Sequence, residues 1–115
     1  MHREVILIKI VKGKSYLKDY DRKIIKKHLT NEKIRIKLIE NLIIVSANMK
    51  ELINSPLSKT YKIQKKNGVL KEIYTARINE KMRLYIKPNG DYPYELKFIT
   101  EVEFLEIDDK HYGDG

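Results

Sequence analysis

The chain has 115 residues, 42% of them hydrophobic and 35% charged, with a formal net charge of +8 and no cysteine. That length suits one domain with its own apolar core, and the frequent Ile, Leu, Val and Tyr exclude a disordered composition. The missing cysteines exclude a disulfide framework and a thiolate metal site, and no apolar run approaches the roughly 18 residues that span a membrane.

The chain opens "MHREVILIKIVKG". Lys9 interrupts the apolar run and no small-residue cleavage pattern follows, so this is expected to be a first strand of a cytoplasmic protein rather than a leader. Val5 to Val11 predicts a strand that closes at Gly13 and is buried on both faces. Ser15 is the expected N-cap of a helix over 16–29, with Leu17, Tyr20, Ile24 and Leu29 on one side. Thr30 or Asn31 is expected to cap a second helix running to about Ala47. Its stripe is Ile34, Leu38, Leu42 and Val45, widened by Ile39 and Ile43. The short connection predicts an antiparallel helical hairpin.

Residues 48–60 read as a connector with a turn at Ser55-Pro56, tied to the core by Met49, Leu52, Ile53 and Leu57. The second half is β-rich. Tyr61–Lys65 predicts a short strand, Asn67-Gly68 a turn, and Leu70–Asn79 and Met82–Lys87 two further strands. The stretch from Tyr94 to Asp108 is too long for one strand and is expected to break near Thr100. The fold class is therefore α+β in a single domain, 1–115: an N-terminal strand, a helical hairpin, then a three- to four-stranded antiparallel sheet.

The hairpin register follows from matching faces. With Asn79-Glu80-Lys81 as a three-residue loop, Ile78 meets Met82, Ala76 meets Leu84 and Tyr74 meets Ile86, which makes one face wholly apolar. The other face pairs Arg77 with Arg83 and Thr75 with Tyr85. A left-handed residue is expected in the loop. Opposed arginines repel unless an anion lies between them, and the guanidinium fork suits phosphate. Tyr85 is placed to stack on a base or orient a phosphate. The alternative is that Glu101, Glu103 or Glu106 on the next strand neutralises the arginines. The positive charge likewise leaves three readings open: a polyanionic partner, an acidic protein partner, or a surface kept wet by lysine. The tail adds Asp108, Asp109, Lys110, His111 and Tyr112, with an imidazole that titrates near neutral pH.

The order "YTARINEKMRLYI" and then "ITEVEFLEIDDKHYG" resembles the RelE/ParE superfamily of type II toxins, nearest its HigB-like branch. Tyr74, Arg77, Ile78 and Asn79 match one strand motif; Arg83, Leu84 and Tyr85 match the next; Ile107, Asp108, Asp109 and His111 match the last. The resemblance implies a RelE-like fold and ribosome-dependent cleavage of mRNA without metal or other cofactor. It also implies neutralisation by a cognate antitoxin, often of helix-turn-helix type. By that resemblance Arg83 would stabilise the reacting phosphate, His111 would be the acid or base, and Asp109 would orient His111 or restrain the tail. Arg77, Tyr85, Lys65, Lys66 and Lys71 would line the RNA groove. The sequence departs from the family where Lys110 stands for the usual Tyr, and at Tyr61, Ile63, Gln64 and Lys65. A non-enzymatic ParE-like toxin and a basic RNA- or ribosome-binding module are the alternative functions.

Overall fold

The computed structural model describes residues 6–110; Val5, His111 and Tyr112, named above, lie outside the described residues. Strand β1 (Lys9–Lys12) leads through Gly13 into helix α1 (Lys14–Asp19). The N-cap is Gly13, not Ser15. The glycine is required by close approach: its N–H donates to the Phe104 carbonyl at 3.0 Å. A Cβ there would sit 2.8 Å from Glu103 Oε2. Starting the helix earlier turns Tyr16 inward, at 1% exposure, and leaves Leu17 half exposed. Tyr16 packs edge-on against Phe104 with ring centroids 5.2 Å apart. Beyond α1 the helix widens into a π-helical segment, Tyr20–Ile25. It ends short of the expected residue 29, with His28 in the left-handed region at φ 54°.

Helix α2 (Thr30–Ile44) stops before Ala47, and Leu29 rather than Thr30 or Asn31 holds the N-cap position. Its buried face is Ile36, Ile39, Leu42 and Ile43, while Ile34, Leu38 and Val45 face out. The expected stripe is thus rotated. Branched residues occur on every side of this helix, so periodicity alone does not choose the inner face.

The connector is two short helices, α3 (Met49–Asn54) and α4 (Pro56–Thr60). Asn48 caps the first by accepting from the Glu51 N–H, and Ser55 caps the second ahead of Pro56. Met49 and Leu52 are fully buried and Ile53 packs against the core, as expected. Leu57 does not; Ser58 is buried in its place, and its hydroxyl donates to the Ile53 and Ser55 carbonyls.

The remaining strands are β2 (Gln64–Lys65), β3 (Tyr74–Arg77), β4 (Arg83–Pro88) and β5 (Glu101–Asp108). Gly68, at φ +71°, opens a 3-10 turn that shortens β3. A second 3-10 turn at Leu96–Phe98 separates β5 from the loop before it, consistent with the break expected near Thr100. Among the described residues the sheet has five strands in the order β1-β5-β4-β3-β2, with β1 parallel to β5 and the other pairs antiparallel. β1 is an edge strand with only one face covered, so the expectation of two buried faces fails: Ile10 packs against the core while Val11 is 38% exposed.

The hairpin register is the expected one, Tyr74 with Ile86, Thr75 with Tyr85, Ala76 with Leu84 and Arg77 with Arg83. The loop uses no left-handed residue. Asn79 Oδ1 closes it by accepting from the backbone N–H groups of Lys81 and Met82 at 2.8 and 2.7 Å. On β5 the inward residues are Val102, Phe104 and Ile107, a spacing of two and then three. One extra residue must therefore be absorbed, and the register shifts beside Tyr85 and Ile86. That bulge keeps Leu84, Ile86, Phe104 and Ile107 together under Tyr16, Ile24, Ile39 and Met49, all in one core.

Candidate nucleic-acid interface

The sheet face away from the core carries Thr75, Arg77, Arg83, Tyr85 and Lys87, with Glu103, Glu106 and Asp108 on the adjoining strand. The opposed arginines have different surroundings. Arg83 is 4% exposed, and its Nη1 donates to the carbonyls of Asn79, Met82 and Glu80 at 2.6, 3.1 and 3.3 Å. It therefore caps the hairpin loop from inside. Arg77 is half-buried and lies 3.9 Å from Glu80 Oε1. The acids expected as neutralisers face other partners: Glu103 is opposite Lys87 and Glu106 opposite Tyr85, whereas Asp108 is opposite Arg83.

The Tyr85 hydroxyl donates to Asp108 Oδ2 at 2.8 Å. Burial, that bond and the charges of Asp108 and Glu106 push its phenol up to about 12, so it is a neutral donor at physiological pH. Lys66 Nζ stands 5.5 Å from the centroid of the same ring. Beside Tyr85 a cleft of about 520 Å³ opens between the β1–α1 junction and the segment holding Leu70 and Ile73.

The approach to the tail is clamped. β1 ends opposite Phe104, so β5 runs on past its parallel neighbour. Side chains replace the missing strand: Asp19 Oδ2 accepts from the Ile107 N–H at 2.9 Å, and Lys23 Nζ donates to the Ile107 carbonyl at 2.7 Å. Lys23 also pairs with Asp109 at 3.3 Å. Asp19 and Lys23 lie off the apolar side expected for this helix and so were not among the expected site residues. Their spacing of four on one helix was the available signal.

The three expected RNA-binding lysines divide. Lys66 is beside Tyr85. Lys65 pairs across the strands with Tyr74, which puts it on the core side of the sheet edge. There its ammonium donates to the Tyr92 hydroxyl at 2.9 Å, a bond that holds its pKa above the ordinary range. Lys71 stands 5.3 Å from the same ring. Tyr92 was missed because it lies in the loop "PNGDYP"; an aromatic there with lysines elsewhere gives no local signal. Among the described residues no group of His, Asp and Glu is arranged to hold a metal ion, and no helix is long and apolar enough to cross a membrane.

No family model matches the sequence, and comparison with curated proteins gives no match. Solved structures do match. YafQ from E. coli superposes with a TM-score of 0.59 at 15% identity, covering 90% of this chain and 93% of that one. A mutant of E. coli YafQ gives 0.60 at 18%, over 90% and 93%. A copper-bound mutant toxin from Helicobacter pylori gives 0.58 at 16%, over 90% and 94%. The chain shares the α+β fold of these structures, the RelE-like fold. Within this RelE-like frame the cationic hairpin and the clamped end of β5 lie side by side, because Arg83 and Asp108 are register partners.

Proposed function

We propose that this protein is the toxin of a type II toxin–antitoxin pair, of the HigB-like branch, and an endoribonuclease that cleaves mRNA on the ribosome in the cytoplasm. One observation carries the reading: a RelE-like fold over 90% of the chain sets opposed Arg77 and Arg83 beside the strand that leads into the tail. The net charge of +8 suits a polyanionic substrate.

In the proposed reaction the 2′-oxygen of the RNA attacks the adjacent phosphorus and the bond from phosphorus to the 5′-oxygen breaks. A base removes the 2′-hydroxyl proton and an acid protonates the leaving oxygen, giving a 2′,3′-cyclic phosphate and a 5′-hydroxyl. The Arg77–Arg83 pair stabilises the charge that builds on the phosphate, with Arg77 the more exposed of the two. His111 is the proton carrier, and Asp109, held by Lys23, restrains the chain that precedes it in sequence. Arg77, Tyr85 and Lys66 line the RNA path. Lys65 and Lys71, around Tyr92, add a second cationic edge. A cognate antitoxin, of helix-turn-helix type, neutralises the toxin.

Expression should arrest growth and create new mRNA 5′ ends detectable by primer extension. His111→Ala should abolish both with an unchanged melting curve. No arrest, or a fully active His111→Ala variant, refutes the assignment. The burial of Arg83 in loop carbonyls favours a second reading, a non-enzymatic ParE-like toxin or a ribosome-binding module. Arrest without new 5′ ends is its outcome.

A further inference from the structure

We propose that the outward face of α2 is a docking seam for one acidic amphipathic helix of the neutralising partner chain. The proposal rests on the toxin reading for who the partner is, and on α2 itself for where it binds. Ile34, Leu38 and Val45 are 53%, 44% and 63% exposed. Together with Asn41 they recur at spacings of four, three and four, which is a heptad seam rather than scattered surface residues. At 100° per residue these four positions fall within roughly 60° of arc, a stripe the width of one partner helix. The seam spans about 17 Å, three turns. Asn41 supplies a polar position of the kind that fixes register in such seams. At the C-terminal end the bond from the Ile8 N–H to the Ser46 carbonyl brings in the segment that carries exposed Ile6 and Leu7.

Charge selects the occupant. The flanking cations are the exposed Lys33 and Lys37. Arg35 is committed to the Arg77 and Thr60 carbonyls and to the Tyr61 ring, and the two acids of α2 are engaged as well. Glu32 accepts from Asn79, and Glu40 pairs with Lys12 and Lys37. A helix with apolar residues in heptad spacing and glutamate or aspartate at its edges complements this face. A second copy of this chain does not, because its own α2 would bring lysine against lysine.

The probe is the product of the reading frame adjacent to this gene, purified with and without the full chain. Its affinity is measured by calorimetry against the wild type, Ile34→Glu/Leu38→Glu and Lys37→Glu, with circular dichroism and melting showing that each variant is folded. Each buried glutamate removes a seam contact and desolvates a charge, so the double variant should bind about 100-fold more weakly or worse. Lys37→Glu should lose less, on the order of five-fold, with the difference closing as salt is raised. In cells the folded double variant should still arrest growth, and the neighbouring protein should no longer relieve it. Equal affinity of the double variant overturns the proposal. So does a wild type that binds nothing, or one that self-associates through this face in sedimentation. Growth arrest is scored separately: its absence in the wild type refutes the toxin reading, whereas arrest relieved equally in both refutes only the seam.

Discussion

Replacing Asp19 by alanine tests whether a helix side chain substitutes for a missing strand. In the wild type the Ile107 N–H, on a residue 1% exposed, donates to the Asp19 carboxylate at 2.9 Å. Alanine leaves that donor buried and unpaired. Loss of a charge-assisted hydrogen bond with an orphaned partner costs about 2–3 kcal/mol. The 3.8 Å contact between Asp19 and Lys23 adds little, roughly 0–0.5 kcal/mol. Against a total stability of about 5–15 kcal/mol this is a large fraction, and it lowers Tm by roughly 10 °C for a chain of this size. Asp19→Asn keeps an acceptor and should lose only about 1 kcal/mol. Because Lys23 holds the carbonyl of the same residue, Asp19→Ala and Lys23→Met should combine sub-additively once β5 has lost one clamp. Urea denaturation followed by circular dichroism reads the wild type, the three single variants and the double variant, with unchanged slope as the check on two-state behaviour. If Asp19→Ala lies within about 0.5 kcal/mol of wild type, or Asp19→Asn is as damaging, the edge-capping account is wrong.

Tyr85→Phe removes the bond to Asp108. Tyr85 titrates near 10.0 when unfolded and is pushed up to about 12 when folded. Its contribution is fully present below pH 10 and is lost as pH rises through 12, so the Tm gap between wild type and Tyr85→Phe should be constant to about pH 9 and shrink above it. A gap that widens at alkaline pH contradicts the assignment. Arg83→Ala should cost about 2 kcal/mol in urea melts because three loop carbonyls lose a donor, whereas Arg77→Ala should change stability by under about 0.5 kcal/mol. Equal losses would refute the division of roles between the two arginines. Ile39→Ala, at a residue with 0% exposure, should cost about 2–5 kcal/mol, while Leu38→Ala next to it should be nearly neutral in the isolated chain. Comparable losses would mean that α2 is rotated from the orientation described.

Local patterning was sufficient wherever the deciding contact lies within a few residues along the chain. Apolar residues at 74, 76 and 78 and at 82, 84 and 86 alternate with period two, and only one register puts both sets on one face. The Arg77–Arg83 pairing, the Ser55-Pro56 turn and the break before β5 were legible for that reason. The α+β class and the family resemblance stood on the same local strings.

Tertiary structure decided what depends on distant partners. Isoleucine and leucine occur on all sides of α2, so only packing against the sheet selects Ile36 and Ile39 over Ile34 and Leu38. Arg83 reads as an exposed strand cation until the folded loop offers it three carbonyls. Lys65 ends β2 and Lys66 follows it, yet Lys65 shares a side with Tyr74 and reaches Tyr92 while Lys66 stands over Tyr85 on the other side. Asp19 and Lys23 lie more than eighty residues from Ile107 and Asp109, and their task exists only because β1 ends before β5 does. An alternation of side chains is written in the chain; the groups waiting on the far side of it are not, because hydrogen bonds and desolvation act between atoms that only folding brings within reach.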